Sequence, residues 1–383
     1  MGIIINIRAS RVSLKHIVLI ATTFLLAGIT VISIHLIKND LNPHNWLNQV
    51  WTDDHHIDND EWKEVSKLEI AFKGLPGLKE DGEYSRIPKR ITSNLRKPLR
   101  DLALNTAGGI ASFKSNSQRL KVVGSLSSNR SGNMNNIISS GVDIYVDGRF
   151  YKSLYQESGS LDGEIIFTNT DEKLIDIYFP LYGNVNNIHF FTEKNAFNSI
   201  SNEHKGLIIF YGSSITQGCC TSNPGMSYPA IISRKLGIEH INLGFNGHGL
   251  GDLQLADFIG ELSPSIVVLD YWANPTPQIY GQTLELFIER IRSKLPLVPI
   301  IITSALVSPG IEEIQELKNE ISRSTVYLFQ ENGDENIYFV DGLLNLNESE
   351  GLIDDRHPNS LGFAIISNRL FDYIDAKNLF KLP

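Results

Sequence analysis

Cysteine is almost missing from this chain of 383 residues: there are two, Cys219 and Cys220, and they are neighbours. A bridge between adjacent residues is strained and closes no useful loop. A disulfide framework is therefore excluded, and the pair is expected as two small, semi-buried residues. There is no CxxC pair and no His/Cys cluster with zinc spacing, so no metal and no other cofactor is implied. An excess of positive charge is lacking too. Lys and Arg number 34 against 43 Asp and Glu, a net charge of −9. No basic stripe interleaved with aromatics occurs, which argues against a nucleic-acid partner. Repeats and low-complexity tracts are missing as well. With 42% hydrophobic and 20% charged residues, the composition is that of a globular protein with a sizeable core. Neither charge nor length fixes an oligomeric state.

Charge vanishes altogether from one stretch. From His16 to Ile37 the chain runs without Asp, Glu, Lys or Arg, close to the ~20 apolar residues that cross a bilayer as a helix. Arg8, Arg11 and Lys15 precede the run, which places the N-terminus in the cytoplasm and exports the remainder of the chain. A cleaved signal would have a shorter apolar core and a small-x-small site. Ile32-Ser33-Ile34-His35 is a poor one, so an uncleaved membrane anchor is expected, with secretion after cleavage as the alternative. Beyond the run lies a polar tether, rich in Asp, Asn, His and Trp.

Two domains come after residues 1–50. Over 51–200 the chain shows short, often alternating runs: Gly109–Lys114, Leu120–Val123, Val142–Val146, Gly163–Thr168, Leu174–Phe179 and Ile188–Phe191. Period-two runs at this spacing predict an antiparallel β-sandwich, with a hairpin turn at Asp147-Gly148. Over 201–383 the rhythm changes. Apolar β-rich runs at Leu207–Tyr211, His240–Leu243, Ser265–Tyr271, Val298–Ser304 and Ile337–Val340 alternate with helical stretches near 228–236, 252–261, 283–294, 311–329 and 361–376. Strict alternation predicts an α/β fold, a parallel sheet covered on both faces. Functional groups in such folds gather at the carboxyl ends of the strands.

Four segments leave those ends carrying polar groups. They are Tyr211–Gly218, Asn242–Gly247, Tyr271–Pro275 and, before the last helix, Asp354–Asn359. A serine hydroxyl needs a base within hydrogen-bond reach before it attacks a carbonyl. Ser214 is the candidate nucleophile and His357 the base. Asp354, three residues earlier, can turn back to orient the imidazole; Asp355 is the competing choice. The backbone N–H groups of Ser214 and Gly247 and the amide of Asn274 are candidate oxyanion donors. Taken singly, Ser214 could be a helix N-cap, Gly247 a turn glycine, Trp272 either core or a sugar platform, and His248 a structural loop residue. The ordinary G-x-S-x-G elbow is excluded, because Thr216 stands where its second glycine would be.

Together the blocks GSSITQG from Gly212, PGMSY from Pro224 and NLGFNG from Asn242 resemble the SGNH, or GDSL-type, hydrolase superfamily. Upstream, Ser85–Arg90 and GVDIY from Gly141 resemble the N-terminal sandwich domain of one branch, whose signature is G-x-D-L-Y. Two departures stand out: Ser213 replaces the usual Asp before the nucleophile, and the third block reads WANP rather than G-x-N-D. The resemblance implies a flavodoxin-like three-layer catalytic domain behind a jelly-roll-like sandwich. It also implies an esterase that acts on small or carbohydrate esters, commonly acetylated ones. A glycan O-acyltransferase with the same triad, or an inert glycan-binding protein, are the alternatives.

Overall fold

Five short, Ile- and Val-rich strands build the C-terminal half: β11 (Leu207–Gly212), β12 (Glu239–Gly244), β13 (Ile266–Asp270), β14 (Ile300–Thr303) and β15 (Ile337–Val340). All pair in parallel, in the order β12-β11-β13-β14-β15. β13 and β14 are buried at every position, as expected where helices cover both faces of a parallel sheet. This is the doubly wound order that places a crevice beside β11, where the strand order reverses. The computed structural model describes residues 61–380, apart from 130, 157–159, 202–205 and 307–309. The apolar run 16–37 lies outside them. No helix among the described residues is long and apolar enough to cross a membrane.

The N-terminal half is β-rich. β1 (Trp62–Glu64), β9 (Gly183–Glu193), β4 (Arg119–Ser128) and β7 (Ser160–Ile166) form one antiparallel sheet. β10 (Asn198–Ile200), β3 (Ile110–Ser115), β8 (Lys173–Tyr178), β5 (Gly141–Val146) and β6 (Arg149–Tyr155) form a second, with β2 (Ala71–Lys73) also on β3. The apolar positions of both sheets share one core, including Phe113, Val122, Ile144, Ile177 and Phe190. The Asp147-Gly148 turn lies where the sequence places it, with both residues at positive φ.

Ten α-helices and three short 3-10 helices lie among the described residues. In the N-terminal half are α1 (Pro76–Asp81), α2 (Lys89–Thr92), α3 (Lys97–Ala103) and α4 (Asn136–Ser140). In the other half are α5 (Ser214–Gln217), α6 (Tyr228–Leu236), α7 (Leu253–Glu261), α8 (Pro277–Arg292), α9 (Glu312–Glu331) and α10 (Ser360–Ala376). The chain between β2 and β3 departs from the expected run of strands. It is helical, and its Ile87, Leu95, Leu99 and Ala103 join the core of the α/β half. Arg86 explains why it docks there. Its buried guanidinium donates to the carbonyls of Asn242 at 2.9 Å, Gly244 at 2.6 Å and Leu102 at 2.5 Å, and it lies over the Phe245 ring.

The G-x-D-[LI]-Y signature is a second fastening. Asp143 accepts from Ser153 Oγ, Asn223 Nδ2 and the backbone N–H of Gly225. Arg234 of α6 lies 4.4 Å from the Tyr145 ring centre and donates to the Gly225 carbonyl. The motif's acid and aromatic thus grip the Pro224–Met226 turn, and the described residues pack as one unit.

Candidate active site

The nucleophile turn sits at the end of β11, and its first task is to cap a helix. Ser213 does this: its hydroxyl accepts the N–H of Ile215 at 3.2 Å. The residue that replaces the usual aspartate therefore takes the N-cap role, and the neighbouring hydroxyl is left to other work. Ser214 Oγ lies 3.1 Å from His357 Nε2, and His357 Nδ1 lies 2.9 Å from Asp354 Oδ2. Asp354 Oδ1 also accepts the backbone N–H groups of Arg356 and His357, at 2.8 and 2.7 Å. Burial alone would raise the Asp354 carboxyl. The backbone and ring of His357 and the backbone of Arg356 outweigh it and hold the group down at about 2. Asp355 is exposed and makes no such bonds.

His357 is delivered by α10. Asn359 caps that helix through the N–H groups of Leu361 and Gly362, and its Nδ2 donates back to the carbonyls of Glu350 and Leu352. The base loop is thereby closed on itself.

The second block is bonded to the nucleophile turn. Gln217, buried, donates to Asn105 Oδ1 and the Leu181 carbonyl and accepts the N–H of Asn246 at 3.0 Å. Asn242 Nδ2 donates to the Thr216 carbonyl. A Cβ on Gly244 would stand 2.1 Å from the Gln217 nitrogen, so only glycine lets β12 end against α5. Gly247 comes next at φ +70°, a turn position that suits glycine.

Asn274 accepts the Gly249 N–H through Oδ1 at 3.0 Å. This leaves its NH₂ end as the free donor and ties the third block to the second. The proline of WANP therefore does not detach Asn274 from the loop that carries Gly247 and Gly249. Among the described residues, the N–H groups of Ser214 and Gly247 and the Asn274 Nδ2 carry no acceptor.

Trp272 is 3% exposed and donates Nε1 to Asp270; it is a buried wall and not an open sugar platform. His248 stands beside Arg96, which donates to its carbonyl. Burial, then the Arg96 charge, lowers its pKa.

The cysteines depart from expectation. Both are buried, and the structure joins them as a disulfide between neighbours. The turn allows this through positive φ at Gly218 and Cys220, +101° and +75°. The two sulfurs and the His357 ring lie within 4.8 Å of one another. Sulfurs joined to each other offer no thiolate to a metal ion.

Residue-type reasoning did not single out Asp270. This buried carboxylate at the end of β13 accepts from Thr216 Oγ1, Tyr228 OH, Trp272 Nε1 and Thr303 Oγ1, each at 2.8–2.9 Å. Burial pushes its pKa up, against the pull of those donors. One acid thus links the nucleophile turn, the PGMSY segment, the third block and β14. Lys318 supports the same loop from below, donating to the Trp272 carbonyl. Two clefts of about 520 and 600 Å³ lie on the β-rich half and include none of Ser214, His357 and Asp354. Chemistry, not concavity, locates this site.

Residues 205–375 match the GDSL-like lipase/acylhydrolase family, and 61–197 match the N-terminus of SGNH-hydrolase-type esterases. The chain belongs to the SGNH/GDSL esterases. A GDSL-like lipase from Bacteroides ovatus is 26% identical with a TM-score of 0.78, over 84% of this chain and 99% of that one. A salicylyl-acyltransferase from a tetracycline biosynthetic pathway shares the fold at 19% identity, TM-score 0.74, over 85% and 100%. An acetyl xylan esterase from the rumen bacterium Butyrivibrio proteoclasticus does so at 14%, TM-score 0.56, over 84% and 99%. No curated protein matches the chain. In this SGNH esterase three of the polar segments follow the ends of β11, β12 and β13, and the fourth precedes α10.

Proposed function

We propose that the protein hydrolyses carboxylic esters of carbohydrates or other small alcohols, acetyl esters foremost, through an acyl-serine intermediate. The continuous chain from Ser214 Oγ through His357 to Asp354 carries this reading. Ser214 attacks the acyl carbonyl while His357 Nε2 takes its proton, and Asp354 holds the imidazole and offsets its new charge. The carbonyl electrons move to oxygen, where the N–H groups of Ser214 and Gly247 and the Asn274 amide receive them. Collapse expels the alcohol, which takes the proton from His357. Water, deprotonated by the same imidazole, then releases the acid and restores the serine.

Acetylated-sugar specificity draws support from carbohydrate esterases among the similar folds, including the acetyl xylan esterase. An acyltransferase is the second reading, favoured by the likeness to the salicylyl-acyltransferase. The two differ only in whether water or another hydroxyl accepts the acyl group. The aligned triad speaks against an inert glycan-binding module. The charge-free run 16–37 behind Arg8, Arg11 and Lys15 supports a single membrane anchor with the enzyme on the exported side.

The test is p-nitrophenyl acetate and a panel of acetylated xylose and mannose esters, with and without a glycan acceptor. Release of acetate that disappears in Ser214→Ala is expected. Full activity in that variant would sink the assignment, and substrate loss without free acid would point to transfer.

A further inference from the structure

An ionised carboxylate offers about four lone-pair sites, and those of Asp354 are filled from two directions. Three donations come from its own loop: Arg356 N, His357 N and His357 Nδ1. The fourth comes from the β-rich half, where Asn133 Nδ2 donates to Oδ2 at 3.0 Å. That is the same oxygen that receives the His357 ring. The amide is held at its other end, since the Ser131 hydroxyl donates to Asn133 Oδ1 at 3.1 Å.

The next two residues fasten the segment. Met134 is buried in a cluster with Leu181, Tyr182, Cys219 and Cys220. Asn135 donates to the carbonyls of Thr221 and Ser222, and its own Oδ1 caps α4. Three consecutive side chains of the β-rich half therefore sit on the base's acid, beneath the nucleophile loop and against the residues beyond it.

We propose that Asn133 is a positioning residue for Asp354, supplied to the triad by the β-rich half. The inference rests on the hydrolytic reading above. The amide limits rotation of the carboxylate and draws off part of its charge, so the base strength of His357 is set partly from the neighbouring half. Loss of that donor leaves more charge on Asp354, which favours the imidazolium. A second carboxylate in its place favours it further.

The experiment measures kcat, KM and the pH profile of kcat/KM for p-nitrophenyl acetate. The enzymes are wild type, Asn133→Ala, Asn133→Asp and Asn135→Ala, with Ser214→Ala in parallel. Asn133→Ala is expected to lower kcat about tenfold with KM little changed, as loss of a hydrogen bond to a charged group does. The acid limb is expected to move up by about half a pH unit in Asn133→Ala and about one unit in Asn133→Asp. Asn135→Ala, which loses the neighbouring anchor and not the bond to the acid, keeps the wild-type limb. Asn133 profiles that superimpose on wild type overturn the proposal. So does a limb that moves equally in Asn135→Ala, because seating of the segment would then be the cause. An inactive Ser214→Ala beside unmoved Asn133 profiles removes this inference alone; an active Ser214→Ala removes the hydrolytic reading and this inference with it.

Discussion

The side-chain oxygen of Gln217 accepts the backbone N–H of Asn246 at 3.0 Å, which bonds the nucleophile turn to the loop that carries Gly247. The glutamine of the SITQG block is thus the strut between the Ser214 turn and the Gly247 loop, while its Nε2 is anchored on Asn105 and Leu181. In Gln217→Ala the loop loses its fixed distance from Ser214, and buried partners are left unsatisfied. We expect kcat to fall about tenfold, less than the loss of an oxyanion donor itself. Stability should fall by about 1–3 kcal/mol. Steady-state kinetics and urea unfolding on one sample check both, and an unchanged kcat would detach Gln217 from the oxyanion loop.

Asn274 is a donor only if its NH₂ end faces the reacting carbonyl, and the bond from Gly249 to its Oδ1 sets that orientation. Asn274→Ala should lower kcat by about 10²–10³ while KM changes little, because the interaction strengthens only as the oxyanion forms. Asn274→Asp should be at least as slow, since a carboxylate repels that charge. A rise in KM with kcat intact would make Asn274 a substrate-binding residue instead.

Much of the fold was legible because its signals are local. The α/β half reads as apolar runs separated by helices, and all five strands fall where those runs lie. Two of the errors have local causes as well. The helical pattern near 283–294 begins at Pro277, since Thr276 caps it and proline occupies the first turn. The helices between β2 and β3 have only 6, 4 and 7 residues, too few to display a 3.6-residue period, and Arg86 gives them a purpose only through its partners in the second block. The Ser214–His357–Asp354 arrangement was legible because a serine, a histidine and an acid three residues before it are chemically scarce in that combination. Asn133 and Asp270 were not, because their meaning lies in partners up to 221 residues away. No residue type or spacing marks an asparagine as the neighbour of a distant carboxylate.

Asp354 makes a prediction about pH. Its folded-state pKa, about 2, lies below the ordinary value of 3.8. The folded state therefore holds the ionised form more tightly than the unfolded chain does. The stability this contributes is fully present above about pH 5 and is lost as pH falls through 4 towards 2. The side chain is more than a third exposed, so solvent screens part of the effect. Urea midpoints measured from pH 6 to pH 2.5 should fall less steeply in Asp354→Asn than in wild type. Parallel curves would mean that the acid of the triad contributes nothing to acid lability.

Asp270 supplies the largest stability effect. Its two oxygens are the acceptors for three hydroxyls and one indole, all buried, and no Lys or Arg pairs with it among the described residues. Asp270→Ala removes every one of those acceptors. It orphans the Trp272 indole N–H and leaves the three hydroxyls only longer contacts: Thr216 to the backbone carbonyl of residue 270 and Thr303 to the Leu269 carbonyl at 3.5 Å, and Tyr228 to Thr216 at 3.4 Å. Each orphaned donor costs about 1–3 kcal/mol before relaxation; hydroxyl rotation recovers some of it, so a loss of about 3–5 kcal/mol is expected. Asp270→Asn keeps one acceptor oxygen and the side-chain shape, and should lose about half as much. Because Thr216 lies two residues past Ser214 and Trp272 two before Asn274, both variants should also slow turnover. Chemical unfolding of the two variants tests the ordering. If Asp270→Ala is as stable as Asp270→Asn, the carboxylate is not what holds the four segments together.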